Sequence, residues 1–278
     1  MTVKIVTDSV SDITPEIATD LGITVVPLFV NFGSETYRDR IDLTSEEFYH
    51  KLMHSKILPT TAAPSPVSFA EVYDKLADET DGILVITVGF GATYENAVKG
   101  IELKKRECRI EVISSREAIM AEGLEAIAAA KAANAGASLD ELVVLTHRNI
   151  ERVDFRATFD TLEYLQRGGR IGKAQAFLGS MLKINPVVMI RDSEVCPAAR
   201  PRSRAQAIDY LYNFAMSYSR IEEMAIEDAT TPDEAEMLAE RLHPKYPKER
   251  IYRSKMSPVI ATHTGPRAMA ISVLGDKE

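Results

Sequence analysis

The chain reads as an α/β protein of two domains, a parallel four-stranded α/β/α domain over residues 1–150 followed by an α/β domain with a mixed sheet over 151–278. Three observations predict this. Short β-rich runs alternate with capped helices through the first half, the pattern of βαβ units and a parallel sheet. Past Ser138 the character changes, and apolar and polar residues alternate along the strands. A length of 278 residues exceeds the ~100–200 of one ordinary domain and supplies ample surface for a core.

Residues 3–6 form the first expected strand, which leads into Thr7-Asp8-Ser9; Thr14 N-caps a helix with Pro15 at its first position, and Gly22 closes it. Residues 23–30 are a second apolar run, and Thr44-x-x-Glu47 is a capping box ahead of Phe48 and Leu52. Ser65-Pro66 begins a helix in which Phe69, Val72, Tyr73 and Leu76 share one face. Residues 83–88 and 110–113 complete four strands, and an alanine-rich helix and the capping box Ser138-x-x-Glu141 follow. In the second half Val153, Phe155, Ala157 and Phe159 alternate with polar residues, and a short helix runs to Arg167-Gly168-Gly169. Residues 184–190 and 195–198 pair as a hairpin, which makes the second sheet mixed. A helix from Ser203, a strand at 222–226, a helix opened by Thr231-Pro232, and strands near Arg250 and Ala268 complete the chain.

Composition narrows the function. With 45% apolar and 27% charged residues, the chain is neither disordered nor fibrous. The 33 basic and 41 acidic side chains leave a net charge of −8, which argues against a binder that neutralises nucleic-acid phosphates, and no recognition-helix pattern points to DNA. The two cysteines, Cys108 and Cys196, are too few for a disulfide scaffold and lack metal-ligand spacing, so a reducing cytoplasm is the expected location. The first ten residues do not form a signal peptide, and the most apolar windows, 82–88 and 124–133, fall short of the roughly 18 residues that span a bilayer. At most a transient membrane-surface contact is expected.

Five segments could carry chemistry. Thr7-Asp8-Ser9-Val10-Ser11-Asp12 sits at the carboxyl end of the first strand, where open α/β sheets place ligands. The same residue types also turn a strand into a helix, and the glycines of a phosphate loop are missing. Residues 59–66 read as a rigid loop whose prolines hold the hydroxyls of Thr60 and Thr61 in one direction, or as a connector in which Ser65 caps a helix. The run Gly89 to Asn96 leads into a helix; its small residues let backbone approach a ligand, and its N–H groups could hold an anion. The run Leu162 to Lys173 is the most specific segment. Glycine C-capping accounts for one of Gly168 and Gly169, but not for Arg170 and Lys173, which with Arg167, Arg191, Arg200, Arg202 and Arg204 gather positive charge suited to carboxylate or phosphate. Cations also favour helix C-termini without any ligand. Thr262-His263-Thr264-Gly265-Pro266 is expected on a strand-to-helix loop, with no nucleophilic triad or metal spacing around His263.

Taken in order, Thr7-Asp8-Ser9, Thr61-x-x-Pro64-Ser65, Thr93-Tyr94, the Leu-Glu-Tyr-Leu-x-Arg-Gly-Gly-Arg-Ile run and Thr262-His263-Thr264-Gly265-Pro266 resemble the DegV family over essentially the whole chain. The resemblance implies a two-domain DegV-like fold that holds one long-chain fatty acid between its domains. It implies no catalysis, cofactor or metal. It also implies a partner, an ATP-dependent fatty acid kinase subunit, to which the protein presents the carboxylate before carrying the acyl-phosphate. Thr61 and His263 are assigned to the carboxylate and Arg170 to its neighbourhood, with Ser9, Thr60, Arg200, Arg202 and Thr264 as further polar, basic or partner-facing residues. The family's serine before the Thr-Tyr pair is Ala92 here, so Thr93, Asn96 or backbone at Gly91 is expected to replace it. Ala62-Ala63 and Arg267 also depart from the family pattern. The competing expectation is an enzyme or binding protein for small phosphorylated metabolites that uses Thr7-Asp8-Ser9 and Arg170.

Overall fold

The computed structural model describes residues 2–277, with the backbone alone for 180–183. The first half runs β1 (Lys4–Asp8), α1 (Pro15–Leu21), β2 (Ile23–Val26), β3 (Phe29–Phe32), β4 (Glu35–Arg38), α2 (Ser45–His54) and β5 (Thr60–Ala62). It continues with α3 (Pro66–Leu76), β6 (Ile83–Thr87), α4 (Thr93–Leu103), β7 (Ile110–Ser114), α5 (Ile119–Asn134) and α6 (Leu139–Ile150). The second half opens with β8 (Val153–Thr158), α7 (Glu163–Arg167), β9 (Val187–Arg191), β10 (Glu194–Ala199) and α8 (Arg204–Met216). It closes with β11 (Tyr218–Asp228), α9 (Pro232–Leu242), β12 (Ile251–Lys255), α10 (Pro258–Thr264) and β13 (Met269–Lys277).

The helix starts form where the sequence supplies a side-chain acceptor. Thr14 accepts from Ile17 N and Ser65 from Ser68 N, and both capping boxes, Thr44 with Glu47 and Ser138 with Glu141, are closed in both directions. One sheet is parallel, in the order β2-β1-β6-β7; the other is mixed, β10-β9-β8-β13-β11-β12, with β11 and β12 as its parallel pair. The β9–β10 hairpin turns through Asp192 and Ser193, both at positive φ, as a two-residue turn requires.

Three expectations need correction. The run 23–30 is two strands, because Pro27 has no N–H to continue a ladder, and after it β3 joins a separate three-stranded sheet, β4-β3-β5. The loop expected at 59–66 contains β5, which pairs with β3 so that Thr61 lies opposite Val30. Residues 262–264 are the last turn of α10, which is started by the Ser257 N-cap and Pro258, and do not form a strand-to-helix loop.

The alanine-rich α5 lies between the two sheets and packs against β1, β2 and β6 on one side and β8, β11 and β13 on the other. Its alanines let both sheets approach closely. The main core therefore continues across residue 150, joining Ile5, Leu84 and Ile86 to Phe155, Ile190 and Leu274. A second core lies under α8 and α9, and a third under α3 and α4. Among the described residues no helix is long and apolar enough to cross a membrane. Leu124, fully buried on α5, touches this shared core. Leu124→Ala is expected to cost about 2–5 kcal/mol in urea denaturation, with both halves still unfolding in a single transition. Two separated transitions would contradict a shared core.

Candidate functional site

A cavity of about 450 Å³ opens beside the N-terminal end of α5. Val10, Leu28 and Val88 wall it from the first half; Phe155, Ala157 and Ile190 wall it from the mixed sheet. Met256, Val259 and Ile260 close a third side, and Ala118 and Ile119 form the part nearest α5. Ile119 is a β-branched residue at φ +55°, a conformation seldom adopted by such residues; the next N–H, that of Met120, is held by Glu227 Oε2 at 3.1 Å.

The polar lining comprises Thr61, Thr93, Arg170, His263 and Thr264, with Ser193 and Glu194 of the β9–β10 hairpin, where Glu194 pairs with Lys173. Thr61 Oγ1 lies 2.9 Å from His263 Nε2, joining β5 to α10. Burial, and then the nearby Arg170 guanidinium, push the His263 pKa down to about 4, so the ring is neutral at physiological pH. Arg170 is exposed, donates from Nη1 to Gly168 O at 3.1 Å, and makes no ion pair among the described residues. Thr264 spends its hydroxyl on Ile260 O at 3.1 Å. Thr93 opens α4 behind Ala92, which offers no side-chain acceptor, so the first N–H groups of that helix are uncapped where Gly91, Ala92 and Thr93 line the cavity.

Other expected residues lie elsewhere. Asn96 donates to Pro64 O at 2.8 Å and fastens α4 to the segment after β5, off the lining. Ser9 is buried behind the wall and accepts from Leu28 N at 3.0 Å; Thr60 is exposed, one position from Thr61 on β5. Arg200 stacks over the Phe177 ring at 4.9 Å, and Arg202 is exposed away from the lining. The Thr7-Asp8-Ser9 loop holds the fold together. Thr7 donates to Glu122, and Asp8 accepts from Val10 N and Val88 N with its pKa raised by burial to about 7. The basic cluster also disperses: Arg167 pairs with Glu163, Lys173 with Glu194, and Arg204 with Glu234. Arg267 pairs with Asp160 and Glu234, away from the cavity.

A cluster that the sequence reading missed places α10. Asp12 Oδ1 accepts from Ser257 N at 3.0 Å, Asp39 Oδ1 accepts from Val259 N at 3.3 Å, and Tyr49 donates to Met256 O. Arg40 donates to Asp12 at 3.2 Å and to Ile13 O at 3.0 Å. Burial raises Asp12 and Glu227, whose carboxyls face each other; Asp12 Oδ2 and Glu227 Oε1 have no other partner, which fits one proton shared between them. Asp39-Arg40 lies outside the motifs read from the sequence, and Asp39 is buried here.

The model of the DegV family of uncharacterised proteins matches residues 2–276. A DegV domain-containing protein of Caldanaerobacter subterraneus is 34% identical over 278 residues, covering 97% of each chain. A fatty acid-binding DegV family protein from Thermus thermophilus has a similar structure, with TM-score 0.90 and 30% identity over 99% of this chain and 100% of its own. DegV of Bacillus subtilis, a fatty acid-binding protein, gives 0.88 and 29% over 99% of each.

Burial raises the Asp39 pKa to about 7, so the folded state binds this proton more tightly than the unfolded state. The stability it contributes is complete below the unfolded pKa and is lost as pH rises through about 7. Asp39→Asn keeps an acceptor for Val259 and never ionises. Its urea midpoint relative to wild type is expected to rise between about pH 4 and 7 and to level off above; parallel profiles would show that Asp39 holds no proton in the fold.

Proposed function

Because the chain belongs to the DegV family, we propose that it binds one long-chain fatty acid, with the acyl chain in the cavity and the carboxylate at Thr61, and that it presents this ligand without transforming it. The observation that carries this reading is a mainly apolar cavity in which Thr61, His263 and Arg170 lie together. A buried cavity of ~150 Å³ accommodates benzene, about 25 Å³ per carbon, so 450 Å³ corresponds to ~18 carbons. At about 0.8 kcal/mol per methylene, ~15 methylenes supply on the order of 12 kcal/mol before the cost of association. The head group sets orientation, because a carboxylate left unpaired in such surroundings costs several kcal/mol.

In this reading Thr61 donates to the carboxylate, His263 supports Thr61, and the uncapped N–H groups around Gly91 and Thr93 take the place of the serine that Ala92 replaces. Residues 1–150 and 151–278 then act as two walls of one site. Arg170, exposed at the mouth and without an ion pair among the described residues, suits a negative head group and, beyond it, an acyl-phosphate formed by a separate ATP-dependent kinase subunit. The reading for phosphorylated metabolites loses its basis, since the Thr7-Asp8-Ser9 side chains are spent on the fold.

Protein purified from a bacterial host is expected to carry, in native mass spectrometry, an added mass that matches a fatty acid. A clean apo mass with no uptake of added palmitate or oleate would refute the proposal. Thr61→Val removes a hydrogen bond to a charged group and should weaken palmitate binding by roughly 10–100-fold, with a loss of about 1–3 kcal/mol in fold stability because His263 Nε2 also loses its partner. Arg170→Ala should chiefly lower acyl-phosphate yield with a kinase subunit; a loss confined to affinity for the acyl chain would contradict the role given to it.

A further inference from the structure

Gly168 and Gly169 adjoin at the end of α7, and the structure requires glycine at each for a different reason. Gly169 stands at φ +67° with open space where a side chain would be, so conformation selects glycine there. Gly168 has an ordinary backbone, φ −76° and ψ −1°, which other residues adopt. What excludes a side chain is His263: a Cβ on Gly168 would lie 2.8 Å from His263 Cε1 and closer still to Nδ1. The hydrogen that takes the place of Cβ therefore points at Nδ1. The contact belongs to the packing of α7 against α10, in which Gly265 likewise leaves room for the Tyr164 ring.

This contact selects between the two neutral forms of the ring. A proton on Nδ1 would meet the Gly168 Cα–H and find no acceptor, whereas a bare Nδ1 receives that C–H as a weak donor. Nδ1 has no hydrogen-bond partner among the described residues, and Nε2 faces Thr61 Oγ1 at 2.9 Å. The single ring proton therefore belongs on Nε2, which donates to Thr61 Oγ1. With its oxygen engaged as an acceptor from His263, Thr61 directs its own O–H outward into the polar end of the cavity.

We infer that Gly168 is a positioning residue of the head-group site: by admitting the His263 ring against its Cα it fixes the Nε2–H form and makes Thr61 a donor to a bound carboxylate. The identity of that acceptor rests on the fatty-acid reading; the contact between Gly168 and His263 does not. The Gly168 carbonyl also accepts from Arg170, so the backbone of one residue orients two groups of the site.

The test uses Gly168→Ala, His263→Ala and the double variant, with binding of palmitate and of hexadecanol, melting temperatures, and nitrogen-15 NMR of the wild-type histidine side chains. The His263 resonances, assigned by their loss in His263→Ala, should show a bare Nδ1 and a protonated Nε2. Gly168→Ala should weaken palmitate on the order of 10-fold while hexadecanol changes by less than ~2-fold, because the chain contacts are untouched. In the His263→Ala background the obstructing ring is gone, and adding Gly168→Ala should then alter neither palmitate affinity nor melting temperature. A proton on Nδ1 in the wild type, or a Gly168→Ala penalty equally large with and without His263, overturns the inference. If the wild type takes up no fatty acid, the functional reading fails, while the NMR spectrum and the melting temperatures still decide the contact.

Discussion

The site depends on how the second half of the chain is held against the first at the start of α10. A seven-residue helix has no stability of its own, since its nucleus costs more than its few hydrogen bonds return. Here Asp12 and Asp39 accept its first free N–H groups from the opposite half, and Tyr49 reaches the carbonyl of Met256 just before it. Negative charge at a helix N-terminus is favourable, but burial opposes ionisation, and the Asp12 and Asp39 carboxyls are both shifted upward, Asp39 to about 7. Arg40 joins the cluster through Asp12 and the carbonyls of Ile13 and Lys255. Removing one member of such a network leaves its partner buried and uncompensated, so these bonds tie the start of α10 to the first half. His263 lies in the last turn of the same helix.

The cavity follows from the same layering. Along most of its length α5 fills the space between the sheets, with its alanines touching both. At its N-terminal end, around Ala118 and Ile119, the helix stops and the sheets are no longer separated by it. Small residues line the space left there, Ala62, Ala63, Ala92 and Ala157 among them. Protein interiors are close-packed, so a volume of about 450 Å³ stands out from the rest of the fold. A ligand that fills it also stabilises the native state by mass action.

Charge is organised locally against a net balance of −8. Arg167, Lys173 and Arg204 cluster in the sequence but separate in space into pairs with Glu163, Glu194 and Glu234. Arg170 keeps its guanidinium for the mouth of the cavity. Its bond to the Gly168 carbonyl places it beside His263, whose protonation it further disfavours.

Local physics made much of this chain legible. Caps at Thr14, Thr44, Ser65 and Ser138 satisfy backbone N–H groups within three residues, so they can be read without knowing the fold, and the alternation from Val153 to Phe159 marks the two faces of a strand in the same way. Together they determined the α/β class and the change from a parallel to a mixed sheet. Thr61, Arg170 and His263 were legible as residues of interest through the family resemblance, but composition and spacing alone left each with an ordinary structural explanation. Tertiary structure decided the rest. The strand that carries Thr61 exists because β3 pairs with it from thirty residues away, and its hydrogen bond to His263 closes across more than two hundred. The need for glycine at 168 comes from a ring on a distant helix, and the upward pKa shifts of Asp12, Asp39 and Glu227 come from burial between the two halves. Sequence reports interactions that span one turn or one pleat; contact between distant segments, and the loss of water that comes with it, arises only when the layers assemble.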